Sequence, residues 1–536
     1  MIRRRNAVAG AVAKLVVAAI VASIAILALA ATALAGVIPT DKGPVRGIST
    51  AETNQYLGIP YAKPPVGNLR WRAPSPVPRW NGPRDATTFA PHCAQVESPF
   101  GSASTSEDCL YLNVFTPNDK KGKGHAKDLP VMVWLHGGGM VVGESDDYDP
   151  TRLVSQGRIV VTLNYRLGYL GFLAHSALSA EAGASGNYGL MDQNAALRWV
   201  QRNITKFGGD PDNVTIFGES AGGLSVHSQL ASPLAAGLFD RAIVQSGAYS
   251  LQQPSLATAE GRGASFADTV GCTDQTAACL RSVPVETLLA NQPTTEGAIG
   301  PNRDGRVLPQ SIIDAFQSGQ FNHVPVVEGT THDEFSLFAY TNIEATFGSF
   351  IWQRQLYPFV VTTFVQSLGL PTTAAAVLAE YPLPSGATSS AANVIAIGTD
   401  ALFACPARRS ARALSQFVPT FAYEFNDPDA PQPFVPAASF DYGAFHASEI
   451  ASLFDSTTLG GHAPFTPDQE ALAAAMVRYW TQFAAQGDPN GAQTPQWPGF
   501  TAGTESVQSL VPPTPKTVTN FAADHHCAFW DAALAG

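Results

Sequence analysis

Gly218-Glu219-Ser220-Ala221-Gly222 lies between two segments of opposite character. Before it, Val214-Thr215-Ile216-Phe217 is short, apolar and β-favouring; after it, Gly223-Leu224-Ser225-Val226-His227-Ser228-Gln229-Leu230 reads as a helix of small residues. The order strand, tight turn, helix is that of a nucleophile elbow. There the central residue of G-x-S-x-G sits on a strained turn at the carboxyl edge of a sheet, and the flanking glycines remove clashes that side chains would cause. Ser220 would then stand at a helix N-terminus, where backbone N–H groups and the helix dipole favour developing negative charge. The same five residues also suit an ordinary glycine-rich βα turn, so the other parts of a catalytic site must be found elsewhere in the chain.

Upstream, Val131-Met132-Val133-Trp134-Leu135 is apolar at every position, as a parallel strand buried on both faces requires. It runs into His136-Gly137-Gly138-Gly139, whose glycines leave backbone N–H groups unobstructed, as an oxyanion hole needs. Ile159-Val160-Val161-Thr162-Leu163 is a second such strand. A helix opening at Gly186-Asn187-Tyr188-Gly189 carries Leu190, Ala196, Leu197, Val200 and Ile204 on one face and closes at Phe207-Gly208-Gly209-Asp210-Pro211. Ala242 to Gly247 and Val324 to Gly329 are further short strands. Alternation of strands and helices predicts an α/β fold: a mostly parallel central sheet with helices on both faces. The first part, 37–91, reads as hairpins and loops, and Glu107 to Pro117 as a strand. Segments 250–320 and 340–400 are mixed helix and loop. Thr466-Pro467-Asp468-Gln469 opens a late helix with a capping box, Leu472, Met476, Tyr479 and Phe483 follow at helical spacing, and Gly487 ends it.

With 536 residues, 45% hydrophobic, the chain can bury a large core; its 14% charged residues are on balance acidic, with no basic cluster beyond the first residues, which argues against a nucleic-acid partner. Arg3, Arg4, Arg5 and Lys14 precede an apolar run from Leu15 to about Ala35 that ends in Ala33-Leu34-Ala35. That is the layout of a secretory signal (1–35), with cleavage after Ala35 leaving 36–536 as the mature domain. An uncleaved membrane anchor is the rival reading. Cleavage would move the formal net charge from −11 to −15, which suits a soluble secreted protein without a stable membrane partner. Six cysteines without CxxC spacing point to disulfides rather than a metal. Joining nearest neighbours would pair Cys93 with Cys109 and Cys272 with Cys279, leaving Cys405 with Cys527.

A serine hydroxyl needs a histidine to take its proton and a carboxylate to hold that histidine, in the chain order Ser, acid, His for this architecture. Of eleven histidines, His92 and His136 precede the serine and His227 lies on the elbow helix itself. His446, in the turn Gly443-Ala444-Phe445-His446-Ala447-Ser448-Glu449 after the β-rich Phe421 to Phe425, has the right order and context. His462, His525 and His526 have weaker contexts. For the acid, Glu334 and Asp333 both follow the strand Val324 to Val327 and spacing does not separate them; Glu219 is a further carboxylate beside the nucleophile.

EDCLYLNVFTP, HGGG, GNYGLMDQNAALRWVQRNITKFGGDPDNVTIFGESAGG, THDE, GAFHASE and FAAQGDPN stand in one order along this chain. In them it resembles the type-B carboxylesterases, α/β-hydrolases that include cholinesterases and bacterial para-nitrobenzyl esterases. The resemblance spans nearly all of the mature chain. It implies Ser220 as nucleophile, Glu334 rather than Asp333 as acid, His446 as base, and Gly138, Gly139 and Ala221 as oxyanion donors. It also implies the three cysteine pairs given above. No cofactor or metal is implied, and the expected partner is a small-molecule ester. The segment between Cys93 and Cys109 lacks the tryptophan with which cholinesterases stack on choline, so cholinesterase activity is not expected. Glu296-Gly297-Ala298-Ile299-Gly300 is small where acetyl-selective relatives place aromatic rings, which suggests a roomier acyl pocket. The activity so implied is that of a secreted serine carboxylesterase acting through an acyl-serine intermediate; the alternatives are a lipase or amidase on the same triad, or a non-catalytic cholinesterase-like binding module.

Overall fold

A computed structural model describes residues 33–118, 127–293, 299–433, 435–455 and 464–535. The expected signal lies outside these residues up to position 32, as do His462 and most of the segment Glu296 to Gly300. The described strands are β1 (Ala33–Pro39), β2 (Pro44–Ser49), β3 (Thr53–Pro60), β4 (Arg84–Asp85), β5 (Tyr111–Pro117), β6 (Leu129–Leu135), β7 (Ile159–Leu163) and β8 (Gly209–Glu219). They continue with β9 (Arg241–Gln245), β10 (Val326–Thr331), β11 (Thr420–Phe425), β12 (Val507–Leu510) and β13 (Lys516–Val518). They form one sheet in the order β1-β2-β3-β5-β7-β6-β8-β9-β10-β11-β12-β13, with β4 beside β2. From β7 to β12 every pairing is parallel, while the two ends are antiparallel apart from the short parallel pairing of β4 with β2. Ala33, Leu34 and Ala35 open the outermost strand, where Ala33 pairs with Ser49 and Leu34 with Ile48.

The all-apolar strands are explained by two covered faces. On β6, Val131, Val133 and Leu135 join one core with Leu190, Leu197 and Val200 of the helix Tyr188–Asn203, whereas Met132 and Trp134 join another with Leu472, Met476 and Trp480 of the helix Pro467–Gln486. Period-2 geometry sends alternate side chains to opposite faces, so every position is buried. Each fully buried large side chain contributes about 1.5–3 kcal/mol. The late helix starts as its sequence predicts: the Thr466 hydroxyl accepts the Gln469 N–H at 3.3 Å, the Gln469 side chain accepts the Thr466 N–H at 2.9 Å, and Gly487 closes it at φ 77°.

Two local readings change. Strand β8 begins at Gly209, not Val214, because its pairing with β6 jumps from Leu129↔Gly209 to Val131↔Val214; the intervening bulge accommodates Pro211, which cannot donate to a regular ladder. In 340–400, helices are interrupted by π-helical turns at Ala339–Glu344 and Asp400–Ala404, whose extra residue per turn blurs the 3.6 periodicity. The cysteines pair as expected: Cys93–Cys109, Cys272–Cys279 and Cys405–Cys527. Among the described residues, no helix is long and apolar enough to cross a membrane.

Candidate active site

The strand order reverses at β6: the chain passes from β6 to β7 on one side and then to β8 on the other. Ligands of open α/β sheets bind outside the carboxyl ends of the strands at such a switch point. Here those ends are Leu135, which feeds His136-Gly137-Gly138-Gly139, and Glu219, which feeds Ser220. Ser220 has φ 54° and ψ −120°, a conformation costing a non-glycine residue about 1–3 kcal/mol. It is held by Ser220 N–H to the Gln245 carbonyl at 2.9 Å and by the Leu224 N–H, which donates to the Ser220 carbonyl at 2.8 Å. Gly222 makes the turn feasible: a Cβ there would lie 1.9 Å from the Leu135 carbonyl oxygen. Ala221 is the first residue of the helix Ala221–Ala231, so its N–H is one of the donors a helix leaves unused at its start.

The glycine loop abuts the elbow. A Cβ on Gly137 would lie 3.3 Å from Ser220 Cβ and 3.1 Å from the Glu219 carbonyl oxygen. Gly138 has φ 95°, and its carbonyl accepts the N–H groups of Val141 and Val142, both at 3.0 Å; a Cβ there would strike the Val142 oxygen at 2.1 Å. Gly139 also lies at positive φ, 61°. The loop is anchored by Tyr165, whose hydroxyl donates to the His136 carbonyl at 2.8 Å and whose ring stacks on the imidazole. Burial lowers the His136 pKa to about 4, so this ring stays neutral at ordinary pH and is too weak a base to take a serine proton readily.

His446 and Glu334, 112 residues apart, meet: Nδ1 is 2.5 Å from Oε2 of a carboxylate with no exposed surface. The other carboxylate oxygen accepts the Thr330 hydroxyl at 2.6 Å and the Thr331 N–H at 2.8 Å. Burial by itself would raise the Glu334 pKa, but the neighbouring imidazole and the Ser246 and Thr330 hydroxyls outweigh it and hold the group below its ordinary value. Asp333, its rival by spacing, does something else: its Oδ2 accepts the Ala444 N–H at 2.9 Å and its own N–H donates to the Ala444 carbonyl, which braces the turn carrying His446. The second ring nitrogen, Nε2, lies 3.1 Å from Oε1 of Glu219, the residue next to Ser220. Phe338 and Phe403 flank the imidazole at 5.0 and 5.1 Å between centroids. The remaining described rivals bind elsewhere: His227 to Glu328 and Ser410, fully buried; His525 to Asp400 and Glu424; His526 to Glu380; His92 to Glu144 and Asp146.

Close to Glu334 and His446 lies a polar layer that no spacing rule in the sequence indicates. Glu449, three residues after His446, is fully buried and accepts the Gln245 side-chain N–H at 3.1 Å, while the Gln245 oxygen accepts Trp480 Nε1–H at 3.1 Å. Burial and the nearby Glu334 charge raise the Glu449 pKa to about 7. A carboxyl whose folded pKa is raised stabilises the fold below its unfolded value, about 4.3, and loses that contribution as pH rises through about 7. Glu449→Gln is therefore expected to raise the melting temperature at pH 8 relative to wild type and to change it little at pH 4.5, checked by thermal melts at both values.

Comparison with known proteins identifies the family of the chain. The model of the carboxylesterase family matches residues 35–530. The chain is 35% identical to human cocaine esterase over 516 residues, covering 92% of this chain and 88% of that one. It is likewise 35% identical to the para-nitrobenzyl esterase of Bacillus subtilis (strain 168) over 504 residues, 90% of this chain and 96% of that one. A solved PNB esterase structure superposes with a TM-score of 0.76 at 33% identity, covering 92% of this chain and 99% of that one.

Proposed function

The chain belongs to the carboxylesterase family and is a carboxylic ester hydrolase of α/β-hydrolase fold, and on that premise we propose that it is a secreted serine esterase working through Ser220, His446 and Glu334. The single observation that carries the mechanism is the imidazole of His446, gripped at Nδ1 by the Glu334 carboxylate, with Nε2 turned toward the strained elbow. Ser220 Oγ attacks the ester carbonyl carbon while its proton passes to Nε2. The oxyanion is held by the N–H groups of Gly138, Gly139 and Ala221, each such donor being worth roughly 10²–10³ in rate. Collapse breaks the C–O bond and the proton on His446 leaves with the alcohol. Water then attacks the acyl-serine through the same base, releasing acid and free Ser220. Glu334 keeps the imidazole in the required tautomer and stabilises its charged form.

A substrate panel tests this reading. Para-nitrophenyl esters of rising chain length should be hydrolysed, and a fluorophosphonate should abolish activity while adding one adduct mass to the peptide bearing Ser220. Failure to label would favour a non-catalytic binding module; activity rising only above substrate solubility would indicate a lipase, and efficient anilide cleavage an amidase.

Export is supported by the basic and apolar N-terminal segment and by three disulfides, which persist in oxidising compartments. Cleavage after Ala35 would leave 36–536 as the mature domain and, among the described residues, would trim the start of the outermost strand of the sheet. N-terminal sequencing of protein from the culture medium should begin at Gly36.

A further inference from the structure

The glycine loop from His136 to Asp147 has no regular secondary structure, and four of its residues, Gly138, Gly139, Met140 and Gly143, lie at positive φ. Its shape therefore depends on what grips it. At one end the Gly168 N–H donates to the Met140 carbonyl at 2.7 Å. At the other, the segment closed by Cys93–Cys109 holds on: Gln95 accepts the Gly143 N–H at 2.7 Å and donates back to the Gly143 carbonyl at 3.2 Å, and the Ser102 N–H donates to Glu144 at 3.0 Å. Between these lies a charge cluster. His92, next to Cys93, places Nδ1 2.7 Å from Glu144 Oε2 and Nε2 3.0 Å from Asp146 Oδ2.

We propose that His92, as an imidazolium bridging Glu144 and Asp146, is the positioning residue that fixes the oxyanion loop against the first disulfide segment. The inference rests on the assignment of Gly138, Gly139 and Ala221 as oxyanion donors. With both ring nitrogens on carboxylates, both must be donors, which requires the charged ring. Hydrogen bonds to Asp146 and Glu144 shift its pKa up to about 10, against a smaller opposing effect of burial. His136, also close by, is neutral, so it neither competes for the carboxylates nor replaces the cation; buried Asp147, next to Asp146, adds a further acidic group rather than a cation. The Glu144 side chain is 2% exposed, and the three ligand-type atoms lie within 4.8 Å of one another. Without the imidazolium, two carboxylates would face each other at that range in a half-dry environment, and like charges there separate or take up protons. Either response moves the loop that carries Gly138 and Gly139 a few residues upstream. A metal ion is a poorer occupant, because His92 uses its two nitrogens on opposite sides of the ring, one per carboxylate.

The test is His92→Gln, with His92→Gln/Glu144→Gln/Asp146→Asn to remove the like charges. Expected for the single variant is a 10- to 100-fold loss of kcat on para-nitrophenyl butyrate with KM changed less than threefold. Binding of a trifluoromethyl ketone, whose adduct places an oxyanion in the hole, should weaken in parallel, while a non-covalent product carboxylic acid binds as before. The triple variant should regain most of the lost kcat. A single variant that keeps kcat within twofold, or one whose ketone affinity is unchanged, overturns the proposal, as does activation of the wild type by added Zn²⁺ or Ca²⁺ with loss in EDTA. Fluorophosphonate labelling of the variant at Ser220 separates this outcome from failure of the serine mechanism, which would abolish labelling in the wild type as well.

Discussion

Ser220→Ala is expected to lower kcat for para-nitrophenyl butyrate by about 10⁵–10⁶-fold while leaving the melting temperature within a few degrees of wild type. In the proposed mechanism the hydroxyl is the attacking group, so its loss would remove the acyl-enzyme route and leave only what the oxyanion donors and binding supply. The fold should tolerate the change: Ala keeps the Cβ that the φ 54° backbone already accommodates, and the backbone bonds to Gln245 and from Leu224 do not involve the side chain. If serine and histidine act as one unit, as proposed, Ser220→Ala/His446→Ala should be scarcely worse than either single variant. Turnover above about 1% of wild type in Ser220→Ala, or strictly additive losses in the double variant, would remove the serine from the mechanism.

The second large effect concerns stability. His525 is 3% exposed and bridges two carboxylates, Nδ1 to Asp400 and Nε2 to Glu424, both at 2.6 Å; Asp400 in turn accepts the Tyr381 hydroxyl at 2.7 Å, and Tyr381 accepts Trp530 Nε1–H at 2.7 Å. Burial alone would lower the imidazole pKa, yet the hydrogen bonds and charges of Asp400 and Glu424 raise it to about 10. His525→Gln would strand two buried carboxylates, and removing one partner of a buried ion pair costs about 3–5 kcal/mol. With the folded pKa raised, the stabilisation is complete below the unfolded histidine value of about 6.5 and is lost as pH rises through about 10. Urea unfolding of wild type and variant should accordingly show a wide gap in midpoint at pH 6 that closes by pH 10. A gap independent of pH, or none at all, would mean that the ring serves packing rather than charge.

Runs such as Val131 to Leu135 and Ile159 to Leu163 announce a two-sided sheet because every position is apolar, and GESAG and HGGG announce strained turns because only glycine permits the close approaches at Gly222 and the positive φ at Gly138. These are local properties: period, steric size and backbone freedom are written in neighbouring residues. The capping box at Thr466 belongs with them.

The choice between Glu334 and Asp333 is of another kind. Adjacent carboxylates on one turn are equivalent in spacing, and only the meeting of the β10 and β11 loops sends one to the imidazole and the other to the Ala444 backbone. Likewise, nothing in the chain order of His92, Glu144 and Asp146, or of His525, Asp400 and Glu424, marks them as charge clusters. Hydrophobic pattern and turn chemistry act over a few residues and so are legible along the chain, whereas a buried charge finds its partner across whatever loops the sheet order brings together, and that order is set only when the whole core closes.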